Sequence, residues 1–99
     1  MTRRIVWAPK ASRGFLAAID WIEAEHPANA QRVAERLLKR VESLAAMSTG
    51  RPGRVPGTYE CYVPRTSLII AFELPDKSTL HILRVIHAKR NWLQGEWPT

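Results

Sequence analysis

Gly50-Arg51-Pro52-Gly53-Arg54-Val55-Pro56-Gly57 is where the chain changes its grammar, with three glycines and two prolines inside eight residues. Proline withholds a backbone donor and glycine leaves the backbone unrestrained, so an irregular loop is expected here. The loop divides the chain into two halves of different periodicity. Upstream, from about Ala28 to Met47, apolar residues recur at three and four residue spacing: Ala30, Val33, Leu37, Val41 and Leu44 form a stripe that Ala34, Leu38 and Ala45 widen. That is an amphipathic helix, and Glu35 and Lys39 stand four apart on it in the favourable order, worth about 0.3–0.5 kcal/mol. Arg32, Arg36 and Arg40 make a second row on the same helix, read here as a solvated face. An earlier helix, Ala11 to Glu25, carries Phe15, Ala18, Ile19 and Ile22 on one side with Ser12 as its expected cap, and breaks at His26-Pro27. Before it, Arg4-Ile5-Val6-Trp7 reads as a short strand closed by Ala8-Pro9.

Downstream of the loop the period is two. Tyr59 to Val63 reads as a strand ending at Pro64. Ser67 to Leu74 reads as another, with Leu68, Ile70 and Phe72 on one side and Ile69, Ala71 and Glu73 on the other. Pro75-Asp76-Lys77 is the expected turn. Thr79 to His87 is apolar except for Arg84 and two histidines, as for a strand inside a sheet and covered on both faces. Asn91 to Thr99 reads as a short tail with two tryptophans. Strand, helix, helix, loop and three further strands make an α+β two-layer fold. The N-terminal strand and helical hairpin pack on a mixed, mainly antiparallel sheet in one domain spanning 1–99. The sheet face left open by the helices is where function is expected.

Charge narrows the partners. Fifteen Lys plus Arg against nine Asp plus Glu give +6, spread along the chain. Such a field favours polyanions or an acidic protein. A single cysteine, Cys61, forms no internal disulfide, and the ligands for a zinc site are missing, so neither a metal nor a cofactor is expected. The first seven residues hold no apolar signal core, and no apolar run approaches the ~20 residues that cross a bilayer. A cytoplasmic protein without membrane attachment is the expectation.

Several segments together resemble the ParE branch of the RelE/ParE toxin superfamily: the aliphatic-Trp strand, the alanine-rich helical hairpin, the Gly50-Arg51-Pro52-Gly53-Arg54 loop, Gly57-Thr58-Tyr59-Glu60, and Ile82-Leu83-Arg84-Val85-Ile86-His87-Ala88-Lys89-Arg90-Asn91-Trp92. The resemblance covers nearly the whole chain. It implies a toxin of a type II toxin–antitoxin system, silenced by an acidic antitoxin whose C-terminal segment wraps it. ParE-like members are associated with poisoning of DNA gyrase, RelE-like members with ribosome-dependent mRNA cleavage.

The two outcomes need different residues. RNA cleavage needs a base for the 2′-hydroxyl, cations for the developing phosphorane charge and a proton donor. RelE-like toxins place basic residues after the second helix, an arginine in the middle strand, an arginine after the last strand and a tyrosine near the C-terminus. Here Arg51 and Arg54 fit the first region and Arg90 the third. The middle strand offers only Leu68-Ile69-Ile70, and no tyrosine follows Tyr62. If the chain is nonetheless a nuclease, Arg54, His87 and Arg90 are its candidates; His81 and His26 read better as structural residues. Otherwise no catalytic residue is expected, and Arg51, Arg54, Arg65, Lys89, Arg90 and Trp92 are the candidate contacts for target or antitoxin, flanking the open face. Gyrase poisoning is the first reading and an mRNA endonuclease with an incomplete set the second. A non-toxic basic nucleic-acid-binding module, for which direct nucleic-acid binding would be the whole function, is the third.

Overall fold

A computed structural model describes residues 2–87. The elements are β1 (Arg4–Trp7), α1 (Pro9–Glu25), α2 (Pro27–Ala46), β2 (Arg51–Pro52), β3 (Tyr59–Tyr62), β4 (Leu68–Asp76) and β5 (Thr79–His87). They form one mixed sheet ordered β1-β5-β4-β3-β2, in which only the β1–β5 pair is parallel. The expected fold class is therefore the one observed, α+β with the helical hairpin on a sheet. The tail expected from Asn91 to Thr99 lies outside the described residues.

Each helix begins on a proline, whose fixed φ suits the first turn and whose missing donor would have had no partner there. Ser12 is consequently not a cap: α1 starts three residues earlier, at Pro9 after Ala8, with no side-chain cap bond. His26 joins the helices, its N–H donating to the Ile22 carbonyl at 2.6 Å and its own carbonyl accepting from Asn29 at 2.9 Å. Gly14 lets α1 settle on β5, since a Cβ there would lie 2.9 Å from the Val85 carbonyl oxygen.

On α2 the buried arc is Ala30, Val33, Leu37, Val41, Leu44 and Ala45. Leu38 does not belong to it and is 45% exposed. At about 100° per residue it sits at the edge of the arc, on the side turned away from Arg36 and Arg40. The core between the layers joins that stripe to Leu68, Ile70, Phe72, Leu80, Ile82 and Val85, with Ala11, Ala18 and Ile22 of α1.

β5 lies inside the sheet as expected, but β4 is the middle of the five strands and its residues 68–72 are all buried. On the face opposite the helices, Ile69, Ala71 and Ile86 make a second small cluster against which Val55 packs. That face is thus not bare. Two irregularities punctuate β4–β5: Leu83 is an extra residue in β5, and Leu74 with Pro75 opposes Leu80. A bulge is where a ladder strand tolerates proline, so β4 runs through Pro75 to Asp76, and the turn falls one step later than expected, at Lys77-Ser78. Among the described residues no helix is long and apolar enough to cross a membrane.

Candidate target-binding surface at the β2–β3 edge

The glycine–proline stretch is not the irregular loop its composition implies. Arg51 and Pro52 form β2, paired antiparallel with Glu60 and Tyr59. The remainder is a folded turn: Gly53 N–H donates to the Thr58 carbonyl at 2.8 Å, and the Thr58 N–H and hydroxyl both donate to the Val55 carbonyl, at 3.1 and 2.6 Å. Gly57 takes φ +85°, a conformation an L side chain would strain. Arg51 and Arg54 are accordingly held on a built edge.

Side chains alternate along β3. Tyr59 stacks on Phe72, 5.6 Å between ring centroids, and Cys61 faces α2. Glu60 and Tyr62 face the other way, because Glu60 lies opposite Ala71 and Tyr62 opposite Ile69, both members of the outer cluster. Glu60 is only 8% exposed, and a buried carboxylate needs partners. It accepts the Arg54 N–H at 2.8 Å, and the Arg54 Nε stands 3.8 Å from the same oxygen. Arg51 lies over the ring of Tyr62, 5.2 Å from its centroid, and Tyr62 is itself 51% exposed. A guanidinium over an exposed aromatic face keeps its charge and its donors at the surface.

Arg65 is in the β3–β4 turn with φ 61°, flanked by Thr66, whose hydroxyl donates to the Val63 carbonyl at 2.8 Å. The α2 row reaches this same edge and is not merely solvated. Arg36 Nη1 donates to the Arg65 carbonyl at 3.4 Å. Arg40 is half-buried: its Nε donates to Cys61 Sγ at 2.9 Å and its Nη2 to the Thr49 carbonyl at 3.4 Å. Cys61 is buried, as a small filler should be, but its sulfur also accepts a charged donor. Arg32, one turn earlier, is exposed.

Three of the expected contacts, Arg51, Arg54 and Arg65, thus fall along one edge of the sheet; Lys89, Arg90 and Trp92 lie outside the described residues. The candidates Arg54 and His87 do not converge. Arg54 is paired with Glu60 on the outer face, whereas His87 meets Trp21 of α1 edge-on, 4.7 Å between centroids. Arg90, the third of that set, is likewise outside. Sequence reasoning missed Glu60 and Tyr62 as parts of the surface, although alternation along β3 places them together. It also missed the pair His81 Nδ1–Glu73 Oε2, 2.7 Å apart across β5 and β4. Among the described residues no three His, Cys, Asp or Glu side chains gather as a metal site would require.

Comparison with known proteins gives this arrangement a lineage. Residues 5–92 match the family of the ParE toxin of the type II toxin–antitoxin system parDE. Over 93 residues the chain is 33% identical to Y4kP of Sinorhizobium fredii, a protein named as a proposed toxin, covering 93% of this chain and 95% of that one. Among solved structures, a chain of the chromosomal ParDE system from P. aeruginosa superposes with a TM-score of 0.80 at 22% identity, covering 89% of this chain and 98% of that one. A chain of the RelBE2 toxin–antitoxin complex of Mycobacterium tuberculosis gives 0.62 at 20% identity, covering 90% and 95%. The likeness to the solved structures concerns the fold, and the family match carries the assignment: the chain belongs to the ParE toxin family of type II toxin–antitoxin systems.

Proposed function

We propose that this toxin acts in the cytoplasm by binding DNA gyrase and stalling it on cleaved DNA, and that a cognate acidic antitoxin keeps it silent. The observation that carries the reading is the β2–β3 edge, where Arg51 is displayed on Tyr62 and Arg54 is anchored to Glu60, on a chain of net charge +6. A rigid basic edge speeds encounter with an anionic partner and fixes its register. An antitoxin segment bearing carboxylates would cover the same arginines, and the ParDE and RelBE2 relatives were solved from systems that include an antitoxin.

Binding without bond chemistry is also the better fit to the middle strand. Leu68-Ile69-Ile70 is buried, so no cation stands there to stabilise a phosphorane, and Arg54 and His87 face opposite sides of the sheet. Losing one such stabiliser typically costs on the order of 10²–10³ in rate.

The test is gyrase supercoiling with purified toxin. Wild type should inhibit, and Arg51→Glu, checked for a native melting transition, should need about tenfold more protein, a loss of about 1.4 kcal/mol in binding. A stoichiometric excess that leaves supercoiling untouched, with discrete codon-linked cuts in mRNA from induced cells, would overturn the reading in favour of the endonuclease. Recovery of the toxin from its native operon without a bound acidic partner would remove the antitoxin half.

A further inference from the structure

The α2 arginine row is a second basic feature of the molecule, beside Arg51 and Arg54. Arg32, Arg36 and Arg40 repeat every fourth residue, so their origins step about 6 Å along the helix. The row extends into the β3–β4 turn, where Arg36 binds the carbonyl of Arg65 and so brings a second guanidinium-bearing residue beside it. Among the described residues, no carboxylate oxygen lies within 4.0 Å of Arg32, Arg36, Arg40 or Arg65; the only ion pairs seen there are Arg54–Glu60 and His81–Glu73. Glu35, the nearest acid on the helix, accepts a hydrogen bond from Gln31 at 3.3 Å. Folding thus concentrates like charge at one edge without neutralising it, which costs stability unless an anion is met there.

We infer that the Arg32–Arg36–Arg65 ridge is a contact for the phosphate backbone of DNA. Phosphates are a regular array of anions met by point cations and donors, and need no apolar anchors. A peptide needs such anchors, and the ridge offers none: Leu38, the exposed apolar residue of this part of α2, is on the far side of the helix from Arg36 and Arg40. Arg40 is the root of the ridge, tied to Cys61 and Thr49; Arg32 and Arg65 are its exposed members, and Arg36, half-buried, stands between them. The inference deepens the gyrase reading, and rests on it, by assigning the DNA held by the enzyme as what this edge touches.

The experiment is fluorescence anisotropy of the full-length toxin with a mixed-sequence 30-base-pair DNA duplex, without gyrase, over a series of salt concentrations. Each neutralised phosphate contributes about −0.9 to the slope of log K against log salt. The triple variant Arg32→Gln, Arg36→Gln, Arg65→Gln should therefore flatten the slope by roughly 2.7 and weaken binding at least tenfold at 0.1 M salt. A control that removes the same charge elsewhere, Lys10→Gln, Arg13→Gln, Lys77→Gln, should leave most of the slope in place. Equal flattening by both triples would reduce the effect to bulk charge and overturn the ridge. So would an unchanged slope in the ridge triple, or a tenfold loss of antitoxin affinity with DNA binding intact. Because gyrase is absent, these outcomes are separate from the supercoiling assay: a wild type that binds DNA through the ridge but never inhibits supercoiling would sink the gyrase reading alone.

Discussion

Gly14→Ala sets two known effects against each other, and the structure decides the sign. In an exposed helix interior alanine is favoured over glycine by about 0.8–1.0 kcal/mol. Gly14, however, is half-buried where α1 crosses β5, and the added methyl would stand 2.9 Å from the Val85 carbonyl oxygen. That oxygen belongs to the backbone of an interior strand, held at Val85 by its pairing with Ile70 of β4, and has no flexible end to swing away. The helix must lift instead, loosening Ala11, Ala18 and Ile22, which are buried on the same face. Overpacking of this kind costs about 1–3 kcal/mol, and with backbone on both sides of the clash the upper half of that range applies. The net is a loss of about 1–2 kcal/mol, or a melting temperature lower by roughly 5–15 °C for a domain this size. Thermal unfolding of the free toxin measures it, with the exposed position Ala17→Gly as the companion: there propensity acts alone, at about 1 kcal/mol. A Gly14→Ala protein melting above wild type would show that helix propensity outweighs the clash and that α1 is not seated by this glycine.

Glu60→Ala should leave the Arg54 amide without its acceptor at a cost of about 1–3 kcal/mol and release the loop, seen as faster amide exchange at Arg54 with the β4–β5 hairpin unchanged; equal exchange would mean that the turn holds itself. Asp76 supplies a pH dependence. Its carboxyl is held below the usual aspartate range first by the Ser78 N–H at 2.7 Å and then by the Thr79 hydroxyl at 3.2 Å. A carboxylate whose folded pKa is depressed stabilises fully above its unfolded value and loses that contribution as pH falls through the folded one. Protection of the Ser78 amide should therefore drop below about pH 4 in the wild type and lose this acid step in Asp76→Asn; an identical acid step in both would remove Asp76 as its origin.

The two helices, the places of β1, β3, β4 and β5 along the chain and the apolar stripe of α2 were legible in the amino-acid order, because burial of one face imposes a period of 3.6 or 2 on neighbouring residues. Of the cations singled out in the sequence, Arg54 and Arg65 lie between strands, as their neighbours imply, whereas Arg51 stands in β2. What tertiary structure alone decided is where a period says nothing. A two-residue strand containing proline has no pattern of its own, and β2 exists because Glu60 and Tyr59 lie beside it. A proline after Leu74 reads as a turn until the bulge against Leu80 makes room for it inside β4. An arginine at the edge of an apolar stripe is the same letter whether it faces water or a strand, and Arg36 and Arg40 meet Arg65 and Cys61, 29 and 21 residues away, only through the packing of α2 on the sheet. Periodicity reports which side of an element is buried; it carries no information about which distant element arrives to bury it.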